Sequence, residues 1–133
     1  MKLYIVDDDE IFQFTTRKML QYLGQKEGVE SFSNGHIAIE KLKSLTGQPH
    51  DLPDIILLDI NMPVMDGWDF LAQYSTLEKG LSKQVRIYMI SSSVDDRDLE
   101  RAEKNPHITK YISKPVDELI LKEMLGRETV SKS

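Results

Sequence analysis

Cysteine is absent from the 133 residues, and with it go a disulfide framework, a cysteinyl zinc site and a thiol nucleophile. Basic charge is in deficit: 17 Lys and Arg stand against 22 Asp and Glu, a net −5. That balance argues against a dedicated nucleic-acid binder, which needs a basic face against phosphates. Long apolar runs are also missing. Stretches such as Ile55-Ile56-Leu57-Leu58 fall far short of the roughly 20 residues that cross a bilayer. The opening Met1-Lys2-Leu3-Tyr4-Ile5-Val6 reaches charge at Asp7 before a signal-peptide core could form. The expectation is a cytoplasmic chain with neither a nucleic-acid nor a membrane partner.

What is present suits one domain. A chain of 133 residues, 40% of them hydrophobic, can bury roughly two-thirds of its unfolded surface in a single core. Leu3-Tyr4-Ile5-Val6 reads as a short buried strand that stops at Asp7-Asp8-Asp9-Glu10, and Phe12, Met19, Leu20 and Leu23 then fall at helical spacing before Gly24. Val29 to Phe32 is a weaker strand. Asn34 is placed to cap a helix carrying Ile37, Ala38, Lys41, Leu42 and Leu45 that ends near Gly47, and Gln48 to Pro53 reads as loop. Asp54 to Leu58 is the clearest strand, apolar after its first residue, as a strand covered on both faces should be.

Turn chemistry from Asn61 to Gly67 precedes a helical stripe of Trp68, Leu71, Tyr74 and Leu77, closed by Gly80. Val85 to Ile90 is a fourth strand leading into Ser91-Ser92-Ser93. Asp95 to Lys104 is a polar helix and Ile108 to Ile112 a fifth strand. Pro115 stands where a last helix begins, with Val116, Leu119, Ile120, Met124 and Leu125 as its apolar face. Strands alternating with helices in this way predict a parallel sheet covered on both faces, because each parallel crossover needs a connection that a helix supplies. The expected domain covers 1–127, with 128–133 as a short tail and no output domain.

In such folds ligands sit beyond the carboxyl ends of the strands. The residues there are Asp7 and Asp8, Asp59, Ser91 and Lys114. Each has a plain alternative: a solvated helix N-terminus for the acidic run, a turn residue for Asp59, a loop hydroxyl for Ser91, an exposed lysine held extended by Pro115. Together they suggest more. With the first and third strands adjacent, Asp7, Asp8 and Asp59 converge, and three close carboxylates call for a cation such as Mg²⁺, which prefers carboxylate and water oxygens. Three carboxylates, one divalent ion and one ammonium balance in charge. An oxygen nucleophile, a hard cation, a lysine and a hydroxyl are the parts of in-line phosphoryl transfer, and a carboxylate can itself accept the group. The added negative charge would then demand new donors, which is the basis of a switch.

These residues resemble a known family. Val6-Asp7-Asp8, the segment Asp54 to Pro63 with Asp66-Gly67, Ser91, and Lys114-Pro115 are together similar to the receiver domains of two-component response regulators, over essentially Lys2 to Leu125. The resemblance implies a flavodoxin-like (βα)5 α/β sandwich with strand order 2-1-3-4-5. It implies that Asp59 accepts a phosphoryl group from a phosphohistidine, and that Asp8, Asp59 and the main-chain carbonyl of Asn61 hold Mg²⁺, with Asp7 acting through water. Lys114 and Ser91 would contact phosphoryl oxygens, Ser91 and Tyr111 would form the switch pair, and the Lys114-Pro115 peptide would be cis. Expected partners are a sensor histidine kinase or histidine phosphotransfer protein and a downstream target protein.

Such a chain catalyses only its own phosphorylation and slow autodephosphorylation. Ser91 stands where Thr is commoner, Ser92 where a small residue such as Ala is usual, and Asn61 and Ser93 occupy positions that tune dephosphorylation. The loops Ser44 to Pro53 and Lys79 to Gln84 are somewhat long. An aspartate-nucleophile phosphatase would need a second aspartate where Asn61 stands. A calcium loop would need glycine where Val64 stands, and a nucleotide binder a glycine-rich loop in place of the four acids. The remaining alternative is a receiver-like interaction module that is never phosphorylated.

Overall fold

The computed structural model of the chain describes residues 1–81, 83–93 and 95–126. The tail expected at 128–133 lies outside the described residues. The strands are β1 (Leu3–Val6), β2 (Val29–Phe32), β3 (Ile55–Asp59), β4 (Arg86–Ser91) and β5 (Ile108–Ser113). The helices are α1 (Glu10–Tyr22), α2 (Gly35–Ser44), α3 (Gly67–Leu81), α4 (Asp96–Glu103) and α5 (Glu118–Met124). All strand pairings are parallel and the sheet order is β2-β1-β3-β4-β5, the flavodoxin-like order.

Side chains alternate across the pleat, so each strand feeds two cores. Tyr4, Val6, Ile56 and Leu58 point to one face and pack with Ala38, Ile39 and Leu42 of α2 and Phe70, Leu71 and Tyr74 of α3. Leu3, Ile5, Ile55 and Leu57 point to the other, against Phe12 and Leu20 of α1 and Leu121 and Met124 of α5. This two-sided burial explains why β1 and β3 are apolar without alternation. Helix starts are fixed by side-chain caps: Asp9 accepts from the Ile11 and Phe12 N–H groups, Asn34 from Ile37, Asp95 from Arg97 and Asp117 from Ile120.

Several boundaries and faces differ from expectation. On α2, Ile37 is exposed and Ile39 takes the core position, because Ala38, Ile39 and Leu42 share the sheet-facing side. Gly80 lies inside α3, which continues to the buried Leu81. Gln48 to Pro53 contains a 3₁₀ turn at Pro49–Asp51 and buries Leu52. Pro115 does not open α5: the cap is Asp117, and the Lys114 N–H still bonds the Ser91 carbonyl at 2.8 Å, so the strand ladder runs on to the residue before proline. Leu119 is exposed and Leu121 carries the buried face. Asp59 and Ser91 are the last residues of β3 and β4 and not the first of the loops, held by the Asp59–Ile90 and Ser91–Ser113 registers.

Candidate functional site

The order β2-β1-β3 sets the ends of β1 and β3 side by side, with Val6 opposite Leu58. The next residues are therefore neighbours. Asp7 and Asp59 are buried and Asp8 is exposed, and one carboxylate oxygen from each lies within 4.8 Å of the others. Asp7 is held on both sides. Its Oδ1 accepts the Asp9 N–H at 2.8 Å, and its Oδ2 faces the Lys114 ammonium at 2.8 Å. Lys114 Nζ stands 3.8 Å from Asp59 Oδ1 and 4.6 Å from the centre of the Phe12 ring.

Burial, and after it the Asp7 charge, pushes the Asp59 carboxyl up to about 7, against the opposing pull of Lys114 and the Asn61 backbone N–H. At Lys114, burial works against the charged form, but the hydrogen bond and charge of Asp7 and the charge of Asp59 outweigh it and raise its pKa. Three carboxylates against one ammonium leave a deficit that a divalent cation matches, and the donor atoms are all hard oxygens. That set fits Mg²⁺.

The other expected residues are placed as follows. Asn61 is exposed and its N–H reaches the Asp59 carboxylate. Ser91 is buried, and its hydroxyl is already engaged: it donates to the Ser93 carbonyl at 2.6 Å and receives the Ser93 N–H at 3.2 Å. Tyr111 lies half-buried on β5, its hydroxyl buried without a hydrogen-bond partner among the described residues. The Lys114-Pro115 peptide is cis.

Three further residues support the site, and two of them, Phe12 and Gln13, have no functional role in the sequence reading, whereas Gly67 belongs to its Asp66-Gly67 motif. Phe12, read only as core, lies under Lys114, and its position one helical turn after Asp8 is the signal that could have shown this. The Gln13 amide donates to three carbonyls at the strand ends, Ile5 at 2.9 Å, Asp7 at 3.1 Å and Phe32 at 3.2 Å. Gly67 passes so close to the phosphoacceptor candidate that a Cβ there would lie 2.8 Å from the Asp59 carbonyl oxygen.

Comparison with known proteins bears on this arrangement. The family profile described as "Response regulator receiver domain" matches residues 3–126. A two-component response regulator from Cytophaga hutchinsonii superposes with a TM-score of 0.85 at 28% identity, covering 95% of this chain and 94% of that one. A response regulator receiver protein from Dyadobacter fermentans DSM 18053 is 38% identical with a TM-score of 0.80, covering 96% of both chains. Among curated proteins, the probable methanogenesis regulatory protein FilR2 of Methanothrix harundinacea (strain 6Ac) is 27% identical over 86% of this chain and 72% of its own length. Of other curated relatives the chain spans between 18% and 45%.

Proposed function

The chain belongs to the response regulator receiver family, and from that premise we propose that it is a phosphorylation-dependent switch with Asp59 as the acceptor. Receiver domains take phosphoryl groups from histidine kinases or phosphotransfer proteins and act on downstream proteins. The observation that carries the reading is the asymmetry of the acidic cluster. Asp7 is neutralised by Lys114 at 2.8 Å, while Asp59, buried at the end of β3, has no cation within hydrogen-bond distance among the described residues. A buried, under-compensated carboxylate is a nucleophile poised for an electrophile that brings its own counterions.

In the proposed step an Asp59 oxygen forms a bond to phosphorus as the bond from phosphorus to the donor's imidazole nitrogen breaks, and that nitrogen takes a proton from solvent. Asp8, Asp59 and the main-chain carbonyl of Asn61 would hold Mg²⁺, with Asp7 acting through water; the chemistry the ion supplies is neutralisation of phosphoryl charge. Lys114, anchored by Asp7 on one side and by its backbone bond to Ser91 on the other, needs only a short shift to reach a phosphoryl oxygen. Ser91 must first give up its 2.6 Å bond to the Ser93 carbonyl. That exchange reorganises the turn after β4, beside α4 and Tyr111, and turns a local charge change into an altered binding surface.

Intact-mass spectrometry after incubation with Mg²⁺ and acetyl phosphate tests the reading. One phosphoryl adduct is expected, absent in Asp59→Asn and in reactions with chelator. No adduct on the native chain, or an adduct that persists in Asp59→Asn, overturns it.

A further inference from the structure

We propose that Phe12 is a positioning residue for Lys114, its ring face holding the ammonium beside Asp59 in place of solvent. The inference rests on the phosphoacceptor reading of the site. An ammonium carries three N–H donors and no acceptor. Its nitrogen is ion-paired with Asp7 Oδ2 at 2.8 Å, and Asp59 Oδ1 at 3.8 Å is too far for a hydrogen bond. The Lys114 side chain keeps only 15% of its surface exposed, so water covers little of what remains. The Phe12 ring, with Nζ 4.6 Å from its centre, fills that gap, and the negative face of an aromatic ring attracts a cation within about 6 Å.

The ring is itself fixed by the site. Phe12 is 7% exposed and packs in the layer of Ile112 and Val116. Its own N–H bonds the Asp9 side chain at 3.2 Å, and the Asp9 N–H bonds Asp7 Oδ1 at 2.8 Å. The contacts therefore close a ring: Lys114 to Asp7, Asp7 to Asp9, Asp9 to Phe12, Phe12 to Lys114. An aliphatic side chain at position 12 would fill the space but offer no charge to the ammonium, and Lys114 would lose one of the sides that define its place. A cation already aimed at the reaction centre needs less reorganisation when a phosphoryl group arrives, so Phe12 should set the rate of phosphoryl uptake.

The test uses the full chain with phenylalanine analogues carrying one, two and three ring fluorines at position 12, which keep the shape nearly constant while draining the ring face of negative charge. Uptake from acetyl phosphate with Mg²⁺ should fall stepwise, by about three- to tenfold at three fluorines, the range that a cation–π contact allows. Phe12→Tyr should stay within about twofold and Phe12→Leu should join the trifluoro form. A flat series overturns the inference while leaving Asp59 as acceptor. A second readout needs no phosphoryl transfer: the upfield ring-current shift of the Lys114 ε-methylene protons should shrink along the same series, and its constancy also overturns the proposal. If the native chain takes up no phosphoryl group while that shift still shrinks, the acceptor reading fails and the ring's hold on Lys114 stands.

Discussion

Lys114 pairs with Asp7 and stands off from Asp59, its ammonium nitrogen 2.8 Å from Asp7 Oδ2 and 3.8 Å from Asp59 Oδ1. The two buried carboxylates at the ends of β1 and β3 are thus unequal partners of one ammonium. Asp7 is compensated by Lys114 and by the Asp9 N–H. Asp59 carries the surplus charge of the cluster, and burial together with Asp7 raises its carboxyl to about 7.

That inequality gives a pH dependence with a definite sign. Asp59 ionises near 3.8 when unfolded and near 7 when folded, so between these values the folded state holds more protons and metal-free stability falls as pH rises. The contribution is fully present below about 4 and gone above about 7. Asp59→Asn should flatten this part of the profile and, without divalent cations, stabilise the chain at neutral pH by on the order of 1–3 kcal/mol. Urea unfolding of both proteins across this range checks it; a variant less stable than the native chain at neutral pH would contradict the assignment.

Divalent cations should relieve the same penalty. Mg²⁺ is expected to raise the Tm of the native chain in proportion to the logarithm of its concentration once the site fills. Asp8→Ala removes the exposed member of the cluster, which should weaken the Mg²⁺ response at least about tenfold while leaving metal-free Tm equal or higher, since a repelling charge is gone. Thermal unfolding over a Mg²⁺ series reads both quantities. Equal Mg²⁺ responses in the two proteins would remove Asp8 from the site.

Much of this was legible in the sequence because the signals were spread along the chain. An apolar run ending in acid at Val6-Asp7 and at Leu58-Asp59, a hydroxyl after Ile90 and a lysine before Pro115 all mark strand ends, and a parallel sheet gathers strand ends by construction. Helix faces were less legible. Ile37 and Ile39, or Leu119 and Leu121, are chemically alike, and which one faces the sheet depends on where the cap starts the helix. The supporting contacts were hidden for a different reason: the Phe12 ring and the Gln13 amide act on residues distant in sequence or on backbone groups that carry no side-chain signature.

The β3–α3 turn carries a strained residue. Val64 has φ of 69°, and the Met65 N–H bonds the Pro63 carbonyl across it at 2.7 Å, a γ-turn that a β-branched side chain adopts at a cost. The side chain is 92% exposed, so packing does not explain its presence. Val64→Asn or Val64→Gly should therefore stabilise the fold by roughly 0.5–1.5 kcal/mol, with Asn ahead of Gly if the entropy of the unfolded chain dominates. Chemical denaturation measures the difference, and a loss of stability in both variants would show that the strain is offset by a contact of the valine side chain.

Gln13 offers the sharpest separation of packing from polarity. Its single amide nitrogen lies 2.9 Å to 3.2 Å from the carbonyls of Ile5, Asp7 and Phe32, so it ties α1 to the ends of β1 and β2 at the point where the acidic pair emerges. Gln13→Met keeps the length and removes the donor, leaving carbonyls short of a partner, at an expected cost of about 1–3 kcal/mol. Gln13→Glu keeps the shape but turns a carboxylate toward three carbonyl oxygens, and should be worse at neutral pH than Met. Its penalty should shrink as pH falls, because a protonated carboxyl can donate again to one of the three. The pair of variants, unfolded in urea at neutral and mildly acidic pH, discriminates cleanly. If Glu equals or exceeds Met in stability at neutral pH, the amide is not the donor that holds the strand ends, and the geometry of the Asp7 loop must be set by Asp9 and the sheet alone.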